Sequence, residues 1–430
     1  MRSSSLLACA LLGCGSDPST PPDDATPADA VSDASDTVDI VDSSPEVSSD
    51  GSADGCVSPP APLARSCPKG TCTDFTLTGD VHAAVSTGSF FHGFADPSLR
   101  ADALAHRLWV AYSWPHETNA VGAGGPVAMD VIASHYAHSD DGGDTWSFDG
   151  TLWPEVAAAN PDGSGEMGFF DSETPSLAPA TKDASTTWYS VRLHYWVKPV
   201  AGFAPDVSTF TLHVAHASSV AELGAAPEQR FGTAFTPAGL LDVDLNSLSP
   251  SLADCSFWND PAVFFDGGTL YLAAECLVYQ AGKAIDDKER VVLFASAKPD
   301  ELPTATWRYV GVLADHAIAR ELGDDELMQV DLAHTMDGKI VVMMTPSHST
   351  ATGQQVHQGC RAIELASLDP PVMARRCGAL VVRASVTAED IPSGTGSCGY
   401  DPTSTTGIVL ARRPDSAEAG FTLVRTGVRF

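Results

Sequence analysis

Four acidic residues stand where short apolar segments begin, at widely separated points of the chain. Each belongs to a string of similar form: Asp96-Pro97-Ser98-Leu99, Glu173-Thr174-Pro175-Ser176-Leu177, Asp260-Pro261-Ala262-Val263 and the looser Asp331-Leu332-Ala333. Carboxyl groups held close together cannot all ionise at their ordinary pKa values, so one stays protonated while another becomes a base. Hydrolysis of a glycosidic bond requires that pair of states. We therefore predict Asp96, Glu173 and Asp260 as catalytic residues and Asp331 as a substrate-binding residue.

Alternatives remain open for these acidic residues. An Asp before Pro is also a common turn former that binds its own backbone, so each could be purely structural. Glu275 is an alternative acid, and Asp401 is a weaker candidate for a fifth position of the same kind. A protein whose acids are only structural would be a glycan- or protein-binding protein without catalysis.

Further side chains near these strings could contact a ligand. They are His92, Arg192, His194, Trp258, Asn259 and His334. Imidazole groups could bind sugar hydroxyls and an indole could stack on a sugar face, although a structural histidine and a core tryptophan are the alternatives. Clustered acids could hold Ca²⁺ through oxygen ligands, but no calcium-loop spacing is present. We therefore predict no metal and no other cofactor.

The elements that would position these residues recur along the chain. Each acidic string is followed by an apolar segment rich in aromatic residues, such as 108–114 and 188–196, which predicts a strand. A further strand ends at Ala137, Ala215, Ala295 and Ala366, in steps of 78, 80 and 71 residues. Four strands per unit at such a period are typical of propeller blades.

The predicted fold is all-β, a five-bladed β-propeller with four-stranded antiparallel blades formed by residues 56–430. This range holds five units of about 75 residues, the last of them shortened. An early strand within 74–78 would complete the last unit and close the ring, which removes free edges. A two-layer β-sandwich is the alternative, but it does not explain the long period.

One hairpin motif is complete over eight positions. It reads Ser139-Asp140-Asp141-Gly142-Gly143-Asp144-Thr145-Trp146. The glycines permit a tight turn, the Ser139 and Asp141 side chains can bind its backbone, and Trp146 can pack beneath it. With Thr145, the pattern resembles the Asp-box of the sialidase-like β-propeller superfamily. The resemblance implies a propeller but no particular activity, because in that superfamily the box lies far from the substrate.

The Asp-Pro strings resemble those of five-bladed furanosidase-type glycoside hydrolases. This resemblance implies that Asp96 is the base or nucleophile, and that Asp260 tunes pKa values or orients the sugar. Glu173 is the only Glu that begins such a string, so it is the predicted acid. The order here is Asp, Glu, Asp, whereas the family has Asp, Asp, Glu. The predicted function is hydrolysis of a neutral glycan.

An exo-sialidase is a further alternative. Its carboxylated sugar requires converging Arg side chains, and a site formed by the acidic strings would repel that sugar. The segment 94–100 contains no Arg-Ile-Pro motif. Arg192, Arg290 and Arg361 could face inward, but Arg192 and Arg361 are equally compatible with outward strand positions. A neutral sugar therefore fits better.

The overall charge excludes other classes of function. The 430 residues include 24 basic and 55 acidic ones, a formal net charge of −31. Nucleic-acid binding needs clustered Lys and Arg, so it is excluded as a function. No apolar run reaches the roughly 18 residues of a membrane span. We expect a monomer whose partner is a glycan or another small polar ligand.

The N-terminal segments predict export and anchoring. Residues 1–13 have the shape of a signal peptide, and Leu11-Leu12-Gly13-Cys14 resembles the bacterial lipobox. The lipobox implies cleavage before Cys14, lipidation of Cys14 and, with Gly15 next, sorting to the outer membrane of a bacterial cell envelope. A plain secretion signal is the alternative. Residues 14–55, with eleven acidic and no basic residues, are predicted to be a disordered tether.

The cysteines also indicate an oxidising compartment. Of ten cysteines, eight remain within 56–430, and no CxxC pair suggests a zinc site. Four disulfides are therefore expected, among them Cys255–Cys276 and Cys360–Cys377. The remaining cysteines, Cys56, Cys67, Cys72 and Cys398, would fasten the N-terminal segment to itself and to the last repeat.

Overall fold

The computed structural model describes most of residues 57–430. The described ranges are 57–67, 71–80, 92–122, 125–280, 283–349, 355–387, 394–412 and 420–430. The predicted signal peptide, the lipidation site Cys14 and the tether lie outside these ranges. Within them, no helix has the length and apolar character needed to cross a membrane.

Strands dominate the described ranges. In the first half they are β1 (Leu63–Ser66), β2 (Thr73–Asp74), β3 (Leu77–Thr78), β4 (Ala95–Asp102), β5 (Arg107–Gly122), β6 (Gly125–Ser139), β7 (Trp146–Trp153), β8 (Val156–Ala159), β9 (Met167–Lys182), β10 (Ser185–Val197), β11 (Pro205–Ala217), β12 (Glu228–Gly232) and β13 (Val243–Asp244). In the second half they are β14 (Phe257–Asp266), β15 (Thr269–Leu277), β16 (Tyr279–Gln280), β17 (Lys283–Ala284), β18 (Arg290–Ser296), β19 (Arg308–Asp315), β20 (Glu326–His334), β21 (Ile340–Ser349), β22 (Gln355–Gln358), β23 (Cys360–Leu368), β24 (Pro371–Met373), β25 (Arg375–Arg376), β26 (Ala379–Leu380), β27 (Val382–Thr387), β28 (Gly394–Gly399), β29 (Val409–Arg412) and β30 (Thr422–Arg425).

Helices in the described ranges are short. One α-helix, α1 (His316–Glu321), begins after Asp315, whose carboxylate accepts hydrogen bonds from the amides of Ala317 and Ile318. The 3₁₀ helices are Val220–Ala225, Leu245–Leu248, Pro250–Leu252, Asp286–Lys288 and Pro299–Glu301. They lie in the connections between strands.

The strands of the described ranges form four large sheets in a propeller arrangement. This arrangement confirms the predicted all-β propeller fold. The first three sheets have the strand orders β3-β7-β6-β5-β4, β13-β12-β11-β10-β9-β8 and β14-β15-β18-β19. The fourth sheet has eleven strands and includes two antiparallel meanders, β20-β21-β23-β27 and β28-β29-β30-β2. The parallel pair β22 and β28 joins them. The structure thus has four large sheets where the sequence predicts five separate blades.

Five strands surround the central axis of this arrangement. β4 contacts β9, β9 contacts β14, β14 contacts β20, β20 contacts β28, and β28 contacts β4 again. We call these the inner strands, and we call the end at which they begin the upper end of the axis. The ring of contacts is closed, so residues from all five strands can meet on the axis.

Each inner strand carries a β-bulge with one non-glycine residue in the left-handed region. These five bulge residues are Asp96, Thr174, Asp260, Gln329 and Ser397, with φ between 39° and 52°. The pairing with the next strand shifts register at the same points. Such a conformation is costly for a non-glycine residue and re-aims its side chain. The bulges therefore turn five side chains toward one place.

The bulges correct the predicted alignment of the acidic residues. Asp96 and Asp260 are bulge residues, but Glu173 lies one position before the bulge residue Thr174. Asp331 lies two positions after the bulge residue Gln329. The four acids are therefore not equivalent, because the extra residue of a bulge shifts which side chain faces the axis.

An early strand completes the last meander, as the sequence predicts. Thr73 and Asp74 of β2 pair antiparallel with β30, while Leu77 and Thr78 of β3 pair with β7 of the first sheet. The N-terminal segment therefore bridges the last meander and the first sheet, and it covers strand edges of both.

Three disulfides are defined within the described ranges. Cys255–Cys276 joins β14 and β15 as predicted, and Cys67–Cys72 fastens the N-terminal segment to itself. The predicted pair Cys360–Cys377 is wrong, because Cys360 is bonded to Cys398. The two meanders of the eleven-stranded sheet lie side by side, and this places Cys398 of β28 beside Cys360 of β23. Cys377 is also disulfide-bonded.

The hairpin between β6 and β7 contains the eight-residue motif. Ser139 Oγ accepts a hydrogen bond from the Gly143 amide at 2.8 Å, and Asp141 Oδ1 accepts one from the Thr145 amide at 2.9 Å. Trp146 Nε1 donates to the Gly143 carbonyl at 3.0 Å, and the ring is buried. The hairpin packs on residues 404–406, so it joins the first sheet to the last meander.

Candidate active site

A narrow cavity lies between the inner strands. It is lined by all five bulge residues, and its volume is about 30 Å³. This space holds one or two water molecules at most. Two of the predicted catalytic residues, Asp96 and Asp260, therefore come together at one cavity. We refer to it as the central cavity.

Asp96 is held by serine hydroxyls. Ser397 of β28 donates a hydrogen bond from its Oγ to Asp96 Oδ1. Burial raises the pKa of Asp96, while the hydrogen bonds from Ser397 and Ser113 act in the opposite direction. A hydroxyl that donates to a carboxylate stabilises its ionised form. Asp96 is thus a buried carboxyl with two groups that favour its charge.

Glu173 lies beside the bulge of β9 and is held by a tyrosine. Tyr195 of β10 donates a hydrogen bond to Glu173 Oε2 at 2.6 Å. Burial raises the pKa of Glu173 well above its usual range, and the charges of Asp96 and Asp260 raise it further. Burial and Asp96 likewise raise the pKa of Asp260 well above its usual range. The three carboxyls are therefore electrostatically coupled, and Asp96 is the one whose ionised form is best stabilised.

Asn259 and Glu275 form the next pair, on β14 and β15. They are opposite each other in the sheet, and Asn259 Nδ2 donates to Glu275 Oε2 at 3.4 Å. Burial and the charge of Asp260 raise the pKa of Glu275 well above its usual range. Asn259 thus contacts the alternative acid, and Glu275, like Glu173 and Asp260, is a carboxyl whose pKa lies well above its usual range.

Asp331 lines the central cavity but is already paired. The Arg100 guanidinium forms a buried ion pair with its carboxylate and also donates to the Leu332 carbonyl at 2.9 Å. The pair lies between the central cavity, which Asp331 lines, and a second cavity at the lower end, which Arg100 lines. Asp331 therefore closes the axis between the two cavities, and its binding of a substrate stays a prediction.

Arg192 and His194 lie away from the central cavity. Arg192 Nη2 donates to Glu228 Oε2 at 2.8 Å, and the guanidinium lies 5.3 Å from the centroid of the Trp153 ring. His194 Nδ1 is 2.8 Å from the Asp171 carbonyl oxygen. Burial and the charge of Arg192 lower the pKa of His194 well below its usual range. Arg192 thus contacts the first sheet through Trp153, and neither residue lines the central cavity, so their binding of a substrate stays a prediction.

The three remaining predicted residues are also outside the central cavity. Trp258 is buried, donates from Nε1 to Asn246 Oδ1 at 3.1 Å and packs edge-on against Phe294. His92 is buried beside Phe421, whose amide donates to the His92 carbonyl at 2.6 Å. His334 lines the lower cavity. None of the three lines the central cavity, and their contact with a substrate stays a prediction.

Several residues of the site have no obvious signal in the sequence. Thr174, Gln329 and Ser397 are not acidic, and only their position relative to the following strand marks them as bulge residues. Tyr195 lies in a predicted strand among other aromatic residues. Asp171, two residues before Glu173, is fully buried and accepts a hydrogen bond from the Ile132 amide at 2.7 Å. Of these residues, only Thr174 has a signal that a sequence search could have found, because Pro175 follows it as Pro97 follows Asp96 and Pro261 follows Asp260.

A further group of carboxylates lies beside Glu275, and together they line a separate small cavity. Asp286, Glu289 and Glu326 each offer an oxygen atom, and these atoms lie within 4.8 Å of one another. Burial, with the charges of Glu326 and Asp286, raises the pKa of Glu289 to about 9. Glu289 is therefore protonated at neutral pH without a cation, and we assign no metal to this group.

Comparison with known proteins gives likenesses of fold among solved structures. No protein-family model matches the chain, and no curated protein matches it. A glycoside hydrolase family 43 arabinoxylan arabinofuranohydrolase from Bacillus subtilis is 17% identical, with a TM-score of 0.42. The match covers 79% of this chain and 64% of that one, so the chain spans less than two thirds of the other protein.

Two other solved structures are similar at the same level. A family 117 glycoside hydrolase from Zobellia galactanivorans is 11% identical, with a TM-score of 0.38, and the match covers 80% of this chain and 87% of that one. A GH32 β-fructofuranosidase from Bombyx mori is 12% identical, with a TM-score of 0.39, and the match covers 78% of this chain and 59% of that one. Similarity this low does not decide an activity.

Proposed function

We propose that the protein hydrolyses glycosidic bonds of a neutral glycan. The observation that supports this proposal is the group formed by Asp96, Glu173 and Asp260. Three buried carboxyls from three inner strands interact electrostatically, and only Asp96 has hydrogen bonds from two serines that favour its ionised form. Such a difference between neighbouring carboxyls supplies an acid and a base in one site.

In this proposal the roles follow from the protonation states. Glu173, whose pKa is held well above its usual range, gives its proton to the oxygen of the leaving group. Asp96, as the carboxylate, attacks the sugar carbon or activates a water molecule. Asp260 keeps the pKa of Glu173 high when it ionises and otherwise orients the sugar. Tyr195 fixes one oxygen of Glu173, which leaves Oε1 to carry the proton.

The size of the central cavity limits where a glycan could bind. A cavity of about 30 Å³ cannot admit a sugar ring, so the substrate would lie on the upper side of the bulge residues, where Glu173 and Asn259 precede them. On that upper side, the Arg192 guanidinium bonds to Ser172 beside Glu173, but it is already ion-paired with Glu228. An Arg that is already paired with a carboxylate favours a neutral sugar over the carboxylated sugar of an exo-sialidase.

Hydrolysis of a panel of 4-nitrophenyl furanosides, pyranosides and neutral polysaccharides tests the proposal. We expect Asp96→Asn and Glu173→Gln each to lower kcat/KM by about 100-fold or more. Glu364→Gln changes a carboxyl on β23 that is ion-paired with Arg383 and lies outside the site, and it should leave activity intact. Full activity in both site variants would refute these roles, and loss in Glu275→Gln with activity kept in Glu173→Gln would make Glu275 the acid.

A glycan- or protein-binding propeller without catalysis is the second candidate. The small central cavity and the low exposure of Glu173 and Asp260 favour it, because an acid and a base must reach their substrate. Binding of a glycan to the wild-type protein without any hydrolysis, unchanged in Asp96→Asn, would support this candidate.

The proposed architecture is a propeller of five blades. The supporting observations are the five inner strands, each with its bulge, and the two meanders within the eleven-stranded sheet. We count these meanders as the fourth and fifth blades, joined by β22. The last blade takes its fourth strand, β2, from the N-terminal segment.

The proposed location is the outer membrane of a bacterium, with the protein anchored through lipid on Cys14. The lipobox-like string and the acidic segment after it support this proposal. Mass spectrometry of the N-terminal peptide should show acyl chains on Cys14, and Cys14→Ser should release the protein from the membrane fraction. An unmodified mature N-terminus elsewhere would indicate plain secretion instead.

A further inference from the structure

The lower end of the axis contains the larger of the two cavities described here. It has a volume of about 200 Å³, against about 30 Å³ for the central cavity. Its lining comes from four inner strands and from the residues that follow β28. The buried ion pair of Arg100 and Asp331 separates the two cavities. A ligand in the lower cavity therefore does not reach Asp96.

The charged side chains Arg100 and Asp401, which line the lower cavity, already have hydrogen-bond partners within the protein. The Arg100 guanidinium is committed to Asp331 and to the carbonyls of Leu99 and Leu332. The Asp401 carboxylate accepts hydrogen bonds from the Ala101 amide at 2.8 Å and from the Thr403 amide and hydroxyl at 2.9 and 2.6 Å. An anion would find no uncommitted cation among the lining residues in the described ranges, and an ammonium group would compete with three donors already bound to Asp401.

The remaining groups of the lining suit a ring with hydroxyl substituents. Phe265 is half-buried, with one face stacked on Tyr189 at a centroid distance of 5.6 Å. The His334 side chain is 43% exposed and can donate or accept a hydrogen bond. The Thr403 hydroxyl donates to Asp401 and can accept from a ligand. Apolar surface with a few polar groups is the usual composition of a small-molecule site.

We propose that the lower cavity is a second ligand site, which binds a neutral polyhydroxylated ring of monosaccharide size. The volume corresponds to about six or seven water molecules, which such a ring would displace. The apolar face of the ring would pack on Phe265, and its hydroxyls would bond to His334, Thr403 and the free lone pairs of Asp401. This site is non-catalytic, and it does not depend on the function proposed above.

Ligand-observed NMR on the full-length protein tests this inference. The probes are methyl glycosides of neutral hexoses and pentoses, with N-acetylneuraminic acid and glucosamine as charged comparisons. We expect a neutral probe to bind with Kd on the order of 1 mM. Ala101→Leu, which fills the cavity, and His334→Ala, at a half-exposed position that the fold tolerates, should each weaken binding by about tenfold or more.

Two controls distinguish this site from others. Thr304→Val removes an exposed hydroxyl that bonds to a neighbouring acceptor at a residue that does not line the cavity, and it should leave Kd unchanged. Asp260→Asn changes the central cavity and should also leave Kd unchanged. Absence of binding by every neutral probe would overturn the proposal. So would tighter binding of a charged probe, or loss of binding in Asp260→Asn with retention in Ala101→Leu and His334→Ala.

Discussion

Ser397 and Tyr195 show how single hydroxyl groups differentiate neighbouring carboxyls. Both donate to a buried carboxyl, Ser397 to Asp96 and Tyr195 to Glu173. A bond of this kind favours the ionised form and restricts the side chain to one orientation. At Glu173 it is outweighed by burial and by two carboxyl neighbours, whereas Asp96 receives two such bonds.

Removal of the Ser397 hydroxyl should move the acid limb of the pH profile. In Ser397→Ala, Asp96 loses a donor that lowers its pKa, so its pKa rises and the base ionises only at higher pH. The measurement is kcat/KM against pH on the substrate found in the glycoside panel. Ser190→Ala is the control, because Ser190 is equally buried and its hydroxyl has no partner in the described ranges. An acid limb unchanged in Ser397→Ala would contradict the role of Asp96 as base.

Removal of the Tyr195 hydroxyl should act on the opposite limb. Tyr195→Phe removes a bond that lowers the pKa of Glu173, so the basic limb should move to higher pH. Loss of orientation should also lower kcat by about 10- to 100-fold. Tyr189→Phe on the same strand loses a hydroxyl bond to Asp300 and should affect neither. If both variants behave alike, Tyr195 has only a structural role.

At the scale of elements, the bulges explain what the sequence could and could not predict. The Asp-Pro strings at 96–97 and 260–261 mark two bulges in the sequence, because a Pro follows the bulge residue in both. By charge, Glu173 and Asp331 align with Asp96 and Asp260. Charge, however, gives no sign of the extra residue that a bulge inserts. Gln329 and Ser397 share no chemistry with Asp96, so side-chain type could not reveal them. Backbone conformation is the property that repeats here.

The cysteine pairing failed for a related reason. A sequence shows spacing along the chain, whereas Cys360 and Cys398 are brought together by the lateral joining of two meanders. Cys255 and Cys276 were predictable because β14 and β15 are consecutive antiparallel strands. Local pairings follow from a strand prediction, while those between distant elements require the arrangement of the sheets.

The β6–β7 hairpin provides a test at the scale of an element. Gly142 and Gly143 both have positive φ, but a Cβ on Gly143 would lie 2.7 Å from Thr406 Cγ2, whereas on Gly142 the nearest atom is at 3.4 Å. Gly142→Ala should therefore cost about 1 kcal/mol of unfolding free energy, from backbone strain. Gly143→Ala should cost about 2–3 kcal/mol, because it also displaces the loop at 404–406.

Denaturant unfolding of both variants provides the measurement. Gly163→Ala is a further control, with positive φ and no atom within 4 Å of the added Cβ. Equal losses in Gly142→Ala and Gly143→Ala would mean that the hairpin does not depend on its contact with the last meander.

At the scale of the whole molecule, the acidic composition has two distinct parts. Eleven acidic residues belong to the N-terminal segment 15–55, which lies outside the described residues. Others are buried without a cation: Asp96, Glu173, Asp260 and Glu275 near the axis, and Glu289 outside it. Only the first part can be recognised from composition, because burial depends on the fold. The second part links the stability of the propeller to its protonation.

The unfolding free energy should therefore fall as pH rises from about 5 to about 9. Burial raises the pKa of Glu289 from 4.5 to about 9, so its stabilising contribution is complete below the unfolded value and is lost as pH approaches 9. Glu228 and Asp141 have lowered pKa values, so their contributions are lost only on acidification below their unfolded values. Glu289→Gln should flatten the decline by up to about 1 kcal/mol per pH unit. Glu166→Gln, at an exposed position, should follow the wild-type curve, and an identical decline in Glu289→Gln would assign the pH dependence to the carboxyls on the axis.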